Sequence, residues 1–178
     1  VSGPNGAVIL DNNPGGVNTK AGVNCNFRAY NNTTRSAVTG DGTVYQLIFD
    51  GILFSNTNVS GTGYYSPTTG IFTAPITGIY SITAACRLDN LTGTGTTTYA
   101  QLVIQSTTTA SYGAAQTSLA ETDLSNTTTK AINLNVADHF ALVKGDTVYV
   151  TVTVFNSTKS VNVLPNGGET WFSAVIIG

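Results

Sequence analysis

Apolar and polar residues alternate along residues 80–88, and this pattern predicts a long strand near the middle of the chain. Every second residue of this segment is apolar, and the residues between them include Ser81, Thr83 and Arg87. A period of two residues is typical of a strand that has one apolar and one more polar face.

The residues before this strand predict how the chain enters it. Residues 71–73 are good strand formers, and Pro75 suits the end or edge of a strand because proline lacks an amide hydrogen. Gly78 follows a threonine and favours a turn. Residues 70–88 therefore predict an edge segment, a tight turn and a long strand that crosses a sheet.

Further strands are predicted where apolar residues alternate with polar ones or form short runs. These segments are residues 25–29, 44–54, 99–105, 131–136, 146–155 and 171–177. Residues 44–54 are nearly all apolar and are broken at Asp50, so they predict two short strands buried on at least one face. In the imperfect alternation of residues 99–105, Tyr99 is assigned to the apolar side with Leu102 and Ile104. Residues 114–124 have only a weak pattern.

Strands recur about every ten residues, are separated by Gly, Asn and Thr turns, and are accompanied by no clear helical period. This arrangement predicts an all-β sandwich or jelly roll of antiparallel strands. An immunoglobulin-like sandwich is the alternative, although Trp171 follows both cysteines instead of lying between them.

Residues 1–23 are rich in Gly, Asn and Pro and are expected to be a linker from an upstream stalk or an extended segment along the domain. Residues 24–178 are expected to form the folded head.

Four motifs carry a family resemblance. The pattern Gly-x-Phe-Thr-x-Pro-x-x-Gly-x-Tyr begins at Gly70, and residues 45–56 are similar to a Phe-Asp-x-x-Leu-x-Asn segment that precedes it. Residues 142–150 are similar to a Leu-x-x-Gly-Asp-x-Val segment, and residues 171–177 to a closing Phe-Ser-Gly-Phe-Leu strand, with Ala174 in place of the glycine. In this order, over about residues 24–178, the motifs resemble the globular-head family of complement C1q, a relative of the tumour necrosis factor superfamily.

The resemblance implies a jelly roll of about ten strands that assembles as a homotrimer, with one sheet packed along the threefold axis. The sequence adds support, because the strands predicted at 146–155 and 171–177 have apolar, aromatic or β-branched residues on both faces. A strand with only one covered face should alternate with charged residues. One face of each strand is therefore expected to line the core and the other to contact a second subunit. Cover by loops of the same chain is the alternative.

The two cysteines, Cys25 and Cys86, lie on the apolar sides of their predicted strands. The strand order that the resemblance implies does not make these strands neighbours, so their Cα atoms would be about 10 Å apart or more. A disulfide needs Cα atoms within about 7 Å. Two buried free thiols are expected.

Charged residues make up only 9% of the chain, and the formal net charge is -2. Since no basic stripe is present, nucleic acid is not expected as a partner. No apolar run approaches the length of a membrane-spanning helix, and insertion into a membrane is not expected. A surface of Thr, Asn, Ser and Gly is typical of durable β-proteins outside the cytoplasm.

No catalytic constellation is evident. His139 is the only histidine, and the Gly-x-Ser-x-Gly motif of many hydrolases is missing. One histidine and two separated cysteines also disfavour zinc. No cofactor is expected. Calcium is the metal to consider because it binds carboxylate oxygens. The candidate ligands are Asp41, Asp50, Asp89, Asp123, Asp138 and Asp146, of which Asp146 is also expected to hold a turn.

The sequence therefore predicts the trimeric, non-enzymatic head of a fibre, spike or collagen-like protein on a virion or bacterial surface. Its expected role is attachment to a cell-surface glycan or protein receptor through polar loops at residues 56–63, 89–98 and 165–168. The alternative is a structural domain that registers a trimeric stalk or decorates a capsid or spore coat without binding a ligand.

Overall fold

The computed structural model describes residues 25–57, 64–91, 99–107, 114–120, 131–155 and 158–177. The predicted linker at residues 1–23 lies outside them, so the proposed domain boundary at residue 24 stays a prediction. The described residues contain strands and no helix, as the two-residue period predicts. The thirteen strands are β1 (Cys25–Tyr30), β2 (Arg35–Thr39), β3 (Tyr45–Gln46), β4 (Gly51–Thr57), β5 (Tyr65–Ser66), β6 (Ile71–Thr73), β7 (Gly78–Asp89), β8 (Tyr99–Ser106), β9 (Ala114–Ala120), β10 (Ile132–Leu142), β11 (Thr147–Phe155), β12 (Val161–Val163) and β13 (Trp171–Ile176).

The strands form two antiparallel sheets that enclose one core. The seven-stranded sheet has the order β2-β12-β7-β13-β1-β4, with β10 on the other side of β7. The six-stranded sheet has the order β5-β6-β11-β8-β9, with β3 also paired to β11. Apart from the consecutive pairs β5–β6 and β8–β9, neighbouring strands in each sheet come from distant parts of the sequence, as in a jelly roll, and the predicted fold class is confirmed.

The long strand predicted from the central alternation is β7. It pairs with β10 from Gly78 to Leu88 and with β13 from Tyr80 to Ala85. Its apolar side faces the core, and Tyr80 and Ile82 are fully buried there. The bend before it lies at residues 75–77, just ahead of the predicted position.

Gly70, the first residue of the motif, has a steric reason to be glycine. Its φ is +71°, and a Cβ atom built there would lie 2.5 Å from the carbonyl oxygen of Leu47. Only glycine adopts this backbone conformation next to another segment without strain. The turn brings β5 and β6 together, and the Gly70 amide donates a hydrogen bond to the Ser66 carbonyl (2.8 Å).

An aromatic cluster joins the two sheets. Phe27 on β1 stacks on Tyr65 of β5, with ring centroids 4.7 Å apart, and contacts Phe72 of β6 at 5.3 Å. Phe172 on β13 meets the Phe27 ring edge-on at 5.1 Å. The Tyr65 hydroxyl, buried among these rings, donates a hydrogen bond to the Phe49 carbonyl (2.8 Å). The core is thus centred on rings from four strands.

Three expectations on burial require correction. Tyr99 lies on the outward side of β8, since Ala100, Leu102 and Ile104 are the residues that face the core. Residues 44–54 do form two short strands, but these enter different sheets, and the apolar residues of β4 remain exposed. The second face of β11 is covered in part within the chain, because Thr151 and Thr153 are only 4% and 8% exposed whereas Phe155 is 45% exposed.

Both cysteines are buried free thiols, as expected. Strand β13 lies between β1 and β7, so Cys25 and Cys86 are not on neighbouring strands. Burial raises the pKa of the Cys25 thiol to about 11 and also raises the pKa of the Cys86 thiol. A protonated, buried thiol is a poor nucleophile.

We expect neither thiol of the native protein to react with Ellman's reagent near pH 8. Denaturation without a reductant should release two reactive thiols per chain, the number of cysteines in the sequence. Absorbance at the reagent's product wavelength measures both numbers. Fewer than two reactive thiols after denaturation would contradict the structure. A disulfide would then join β1 and β7, which the structure separates by β13.

Candidate functional site

One face of the seven-stranded sheet points away from the core, and we call it the open face. It is formed by the outward residues of β1, β7, β10 and β13, with Phe54 of β4 at one side. The register aligns these residues in rows across the strands: Val175 lies beside Asn26 and Ser81, and His139 lies beyond Ser81. The open face is therefore a continuous surface.

One end of the open face is apolar and contains three exposed large side chains. Ile79, Val175 and Ile177 are 39%, 40% and 49% exposed. The Ile177 amide donates a hydrogen bond to the Ile79 carbonyl (2.8 Å), which holds the two residues side by side. Ala141 pairs with Ile79 on the next strand. Contiguous exposed apolar surface of this kind marks a contact with another molecule.

The middle of the open face carries small side chains. They are Ser81, Thr83, Ala85, Ala137 and Ser173. The hydroxyls of Thr83 and Ser173 form a hydrogen bond of 2.8 Å with each other, so these groups do not require water. Small residues with satisfied hydroxyls leave a flat surface that another sheet or strand can approach closely.

The opposite end of the open face is polar, and its two arginines are held by contacts within the chain. The Arg28 guanidinium lies 4.4 Å from the ring centroid of Trp171 and donates a hydrogen bond to the Gly167 carbonyl (3.2 Å). Arg87 forms an ion pair with Glu169. Arg87 also donates a hydrogen bond to the Glu169 carboxylate. This bond holds the pKa of the Glu169 carboxyl below its usual value, so the carboxylate stays ionised at neutral pH.

The loop at residues 165–168 adjoins this polar end. The Asn166 side chain donates a hydrogen bond to the Glu169 carboxylate (3.0 Å) and accepts one from the Gly168 amide (2.9 Å). The Gly167 carbonyl also accepts a hydrogen bond from Arg28, so most polar groups named in this loop already have hydrogen-bond partners within the chain. The other two predicted loops lie mostly outside the described residues, at 58–63 and 92–98.

The outward face of the six-stranded sheet has a different character. The Tyr149 hydroxyl donates a hydrogen bond to Gln105 (2.9 Å), and the Gln105 amide donates one to the Thr151 hydroxyl (3.1 Å). Phe155 packs against Tyr99 with centroids 5.9 Å apart. The hydrogen bond from Gln105 helps to bury Thr151 without a second subunit, whereas Phe155 on the same face of β11 remains 45% exposed.

The structure does not assemble His139 into a catalytic group. Its side chain is exposed on the open face, and the Asp138 carboxylate accepts a hydrogen bond from the His139 backbone amide (2.7 Å). Because adjacent residues of a strand point to opposite faces, Asp138 is not placed to orient the imidazole as in a Ser-His-Asp triad.

The candidate calcium ligands are dispersed. Within the described residues, no three His, Cys, Asp or Glu side chains are grouped so as to hold a metal ion. Asp50 pairs with Arg35 at 2.8 Å, and Asp41 accepts a hydrogen bond from the Thr43 amide. Asp146 accepts one from the Val143 amide (2.9 Å), the turn role expected for it. Asp123 lies outside the described residues, and the expectation that no metal is needed stays a prediction.

Sequence reasoning found the open face only in part. It assigned a second apolar face to residues 171–177, where Val175 and Ile177 are exposed. It missed Ile79, although the outward residues of β7 carry no charge before Arg87. The lack of charged residues at these outward positions could have indicated a covered face, since an exposed strand face normally carries charged residues.

The comparisons with known proteins agree with this architecture. The family model of the C1q domain matches residues 36–166, more than half of the chain. No curated protein matches. Among the described part of the chain, no helix is long and apolar enough to cross a membrane.

Three similar solved structures have the same fold. The globular domain of zebrafish complement 1qA is 17% identical with a TM-score of 0.53, covering 86% of this chain and 98% of that chain. Eiger TNF from S. frugiperda is 14% identical with a TM-score of 0.57, covering 87% and 93%. Murine APRIL at pH 8.5 is 11% identical with a TM-score of 0.56, covering 87% and 100%. With the family model over most of its strands and this two-sheet topology, the chain belongs to the C1q domain family.

Proposed function

We propose that this chain is a homotrimeric, non-enzymatic recognition head that acts outside the cell or on the surface of a particle such as a virion or a bacterial spore. C1q domains are trimeric recognition heads, and the proteins that carry them are generally extracellular. The head would end a surface fibre, spike or collagen-like stalk and attach it to a cell-surface glycan or protein receptor.

The observation that carries the proposal is the open face. A surface that combines Ile79, Val175 and Ile177 with small residues and an internal Arg87–Glu169 ion pair is poorly suited to water and well suited to a permanent contact. Obligate interfaces are large and more apolar than transient ones. In the trimer that we propose, this face of each chain packs against its neighbours around the axis.

Recognition would then fall to the parts of the head away from the axis. The loop at 165–168 is held by Arg28 and Glu169 next to the open face, which makes it a weaker candidate for ligand binding. The predicted loops at 56–63 and 89–98 remain the better candidates. Their Thr, Asn and Ser side chains offer hydroxyl and amide groups that suit hydrogen bonding with glycans.

The first experiment is the native mass by light scattering at neutral pH. We expect the mass of three 18.4 kDa chains, unchanged on dilution into the low micromolar range. A monomer would contradict the proposed assembly. The trimer should then be tested on glycan arrays and on whole cells, with heat-denatured protein as the control. Binding to neither would exclude attachment to the ligands tested and favour the structural role in a stalk, capsid or coat.

A further inference from the structure

The strands of the six-stranded sheet carry no charge. None of the described strands β3, β5, β6, β8, β9 and β11 contains an Asp, Glu, Lys, Arg or His residue. Charged residues flank β11 instead, where Asp146 precedes the strand and Asp41 forms a bridge with Phe155 at its end. Since an exposed strand face normally carries charged residues, this sheet is unusual for a surface that contacts only water.

The outward residues of β8 and β11 form a strip of hydrogen-bonding and aromatic side chains, which we call the outer strip (Tyr99, Gln105, Tyr149, Thr151 and Phe155). At one end, Tyr149 pairs with Gln105, and hydrogen bonds join both to Thr151. A tyrosine hydroxyl that donates one hydrogen bond can still accept another, and a glutamine amide group carries two hydrogens. These half-buried polar groups are therefore held in fixed positions and can still bind hydroxyl groups of a ligand.

The other end of the outer strip is aromatic. Phe155 is 45% exposed and packs against the half-buried Tyr99. Its ring also lies close to Gly42, where a Cβ atom built on the glycine would be 2.5 Å from Phe155 Cε1. Gly42 and Tyr99 thus hold the ring in place while it remains open to solvent. The face of an aromatic ring is electronegative and attracts polarised C–H groups.

We propose that the outer strip binds an uncharged oligosaccharide whose chain lies along β11. Tyr149 and Phe155 are six residues apart on one strand, a distance of about 20 Å that matches a few linked sugar rings. Sugar hydroxyls would form hydrogen bonds with Tyr149 and Gln105, and the C–H face of another ring would pack on Phe155. Ligand sites typically combine such apolar contact with a few well-placed polar groups.

Charge distinguishes this ligand from the alternatives. A neutral oligosaccharide presents hydroxyl groups and C–H bonds but no charge, so it complements the uncharged sheet. An anionic glycan would require Arg or Lys side chains, and the described strands of this sheet contain none. A permanent protein contact would require more apolar surface, whereas Phe155 is the only large apolar residue of the described β8 and β11 that is strongly exposed.

The outer strip would serve the recognition role proposed above, on which its assignment as a glycan site rests. It lies on the opposite sheet from the open face, so packing of the open faces around a threefold axis leaves it accessible. The head would then have a binding surface on a sheet in addition to the predicted loops at 56–63 and 89–98. Strands hold the groups of a site more precisely than loops do.

Titration calorimetry with a neutral oligosaccharide tests the proposal. An array of neutral tetrasaccharides, with sialylated and sulfated forms of the same glycans, first identifies a neutral glycan that binds. This glycan is then titrated into the parent and two variants. Phe155→Ala should weaken its affinity about threefold to tenfold, because the ring that packs on the sugar is removed. Tyr149→Phe keeps its ring and should also weaken the affinity about threefold to tenfold, because one hydrogen bond is lost.

Leu53→Ala is the matched control, since Leu53 is 63% exposed on β4 of the other sheet. It should leave the affinity unchanged, and light scattering with circular dichroism should show that every variant keeps the mass and the strands of the parent. Equal affinities of the parent, Phe155→Ala and Tyr149→Phe would place the glycan elsewhere on the head. That result would overturn the outer strip as the site and leave the proposed recognition function standing.

Other results separate this site from the proposed assembly. Binding only to charged glycans, or to none of the array, would overturn the site but leave a protein receptor for the recognition head. A mass that rises above three chains with concentration, and does not do so in Phe155→Ala, would also overturn it, because a second head would then be the occupant. A monomeric parent that binds a neutral glycan through Phe155 would contradict the trimer and support the site.

Discussion

Replacing Val175 with lysine is expected to convert the three-chain species into folded monomers. Val175 lies at the apolar end of the open face beside Ile177, and its aligned neighbours Asn26 and Ser81 have no carboxylate that could pair with the new ammonium group. Burying an unpaired charge in an apolar contact costs on the order of several kcal/mol, and a threefold assembly incurs that cost at every copy. In the monomer, by contrast, the lysine would remain in water.

The measurement is light scattering at a fixed concentration, with circular dichroism to confirm that the strands are retained. Val44→Lys is the matched control, since Val44 is 61% exposed and precedes β3, on the other sheet. We expect this control to keep the mass of three chains. A Val175→Lys protein that also keeps the mass of three chains would remove the open face from the proposed interface.

The predicted features that proved correct are those that depend on local pattern. Strand β7 could be identified because its core-facing residues recur with a strict period of two, and burial of one face imposes that period. The turn before β7 could be identified because Pro75 and Gly78 break the strand pattern, although the bend itself lies at residues 75–77. Such constraints act on single residues and leave a direct trace in the sequence.

The predictions that failed depend on phase or on non-local contacts. Tyr99 was assigned to the apolar side of an imperfect alternation, but Ala100 has the phase of Leu102 and is the buried residue. Strand β12 has only three residues, Val-Asn-Val, an alternation too short to predict a strand, and it pairs with both β2 and β7. Short strands held by distant partners carry little local signal.

The open face was only partly predictable for the same reason. Val175 and Ile79 are almost one hundred residues apart and become neighbours only when β13 pairs with β7. The two covered faces of β11 also had two physical explanations in the sequence, a second subunit or the same chain. The hydrogen bonds from Tyr149 to Gln105 and from Gln105 to Thr151 show cover by the same chain at Thr151, while Phe155 on that face remains 45% exposed.

Replacing Phe27 with alanine is expected to cause the largest loss of stability of any substitution considered. Phe27 is 2% exposed and contacts Tyr65, Phe72 and Phe172, so it joins β1 and β13 of one sheet to β5 and β6 of the other. Removing a buried phenylalanine from a core costs about 3–5 kcal/mol, because the cavity that is left closes only in part. That is a large fraction of the ~5–15 kcal/mol that stabilises a typical domain.

The comparison that isolates this effect is Phe155→Ala, which removes the same ring from the outward face of the six-stranded sheet. Phe155 is 45% exposed and has one aromatic contact, to Tyr99, so its loss should cost about 1 kcal/mol. Urea unfolding of both variants and the parent should be followed at one chain concentration, since an oligomer's apparent stability depends on concentration. Equal midpoints for the two variants would mean that the rings between the sheets are no better packed than a ring at the surface. The joining of the sheets would then have to rest on the aliphatic layers of β7, β8 and β11 instead.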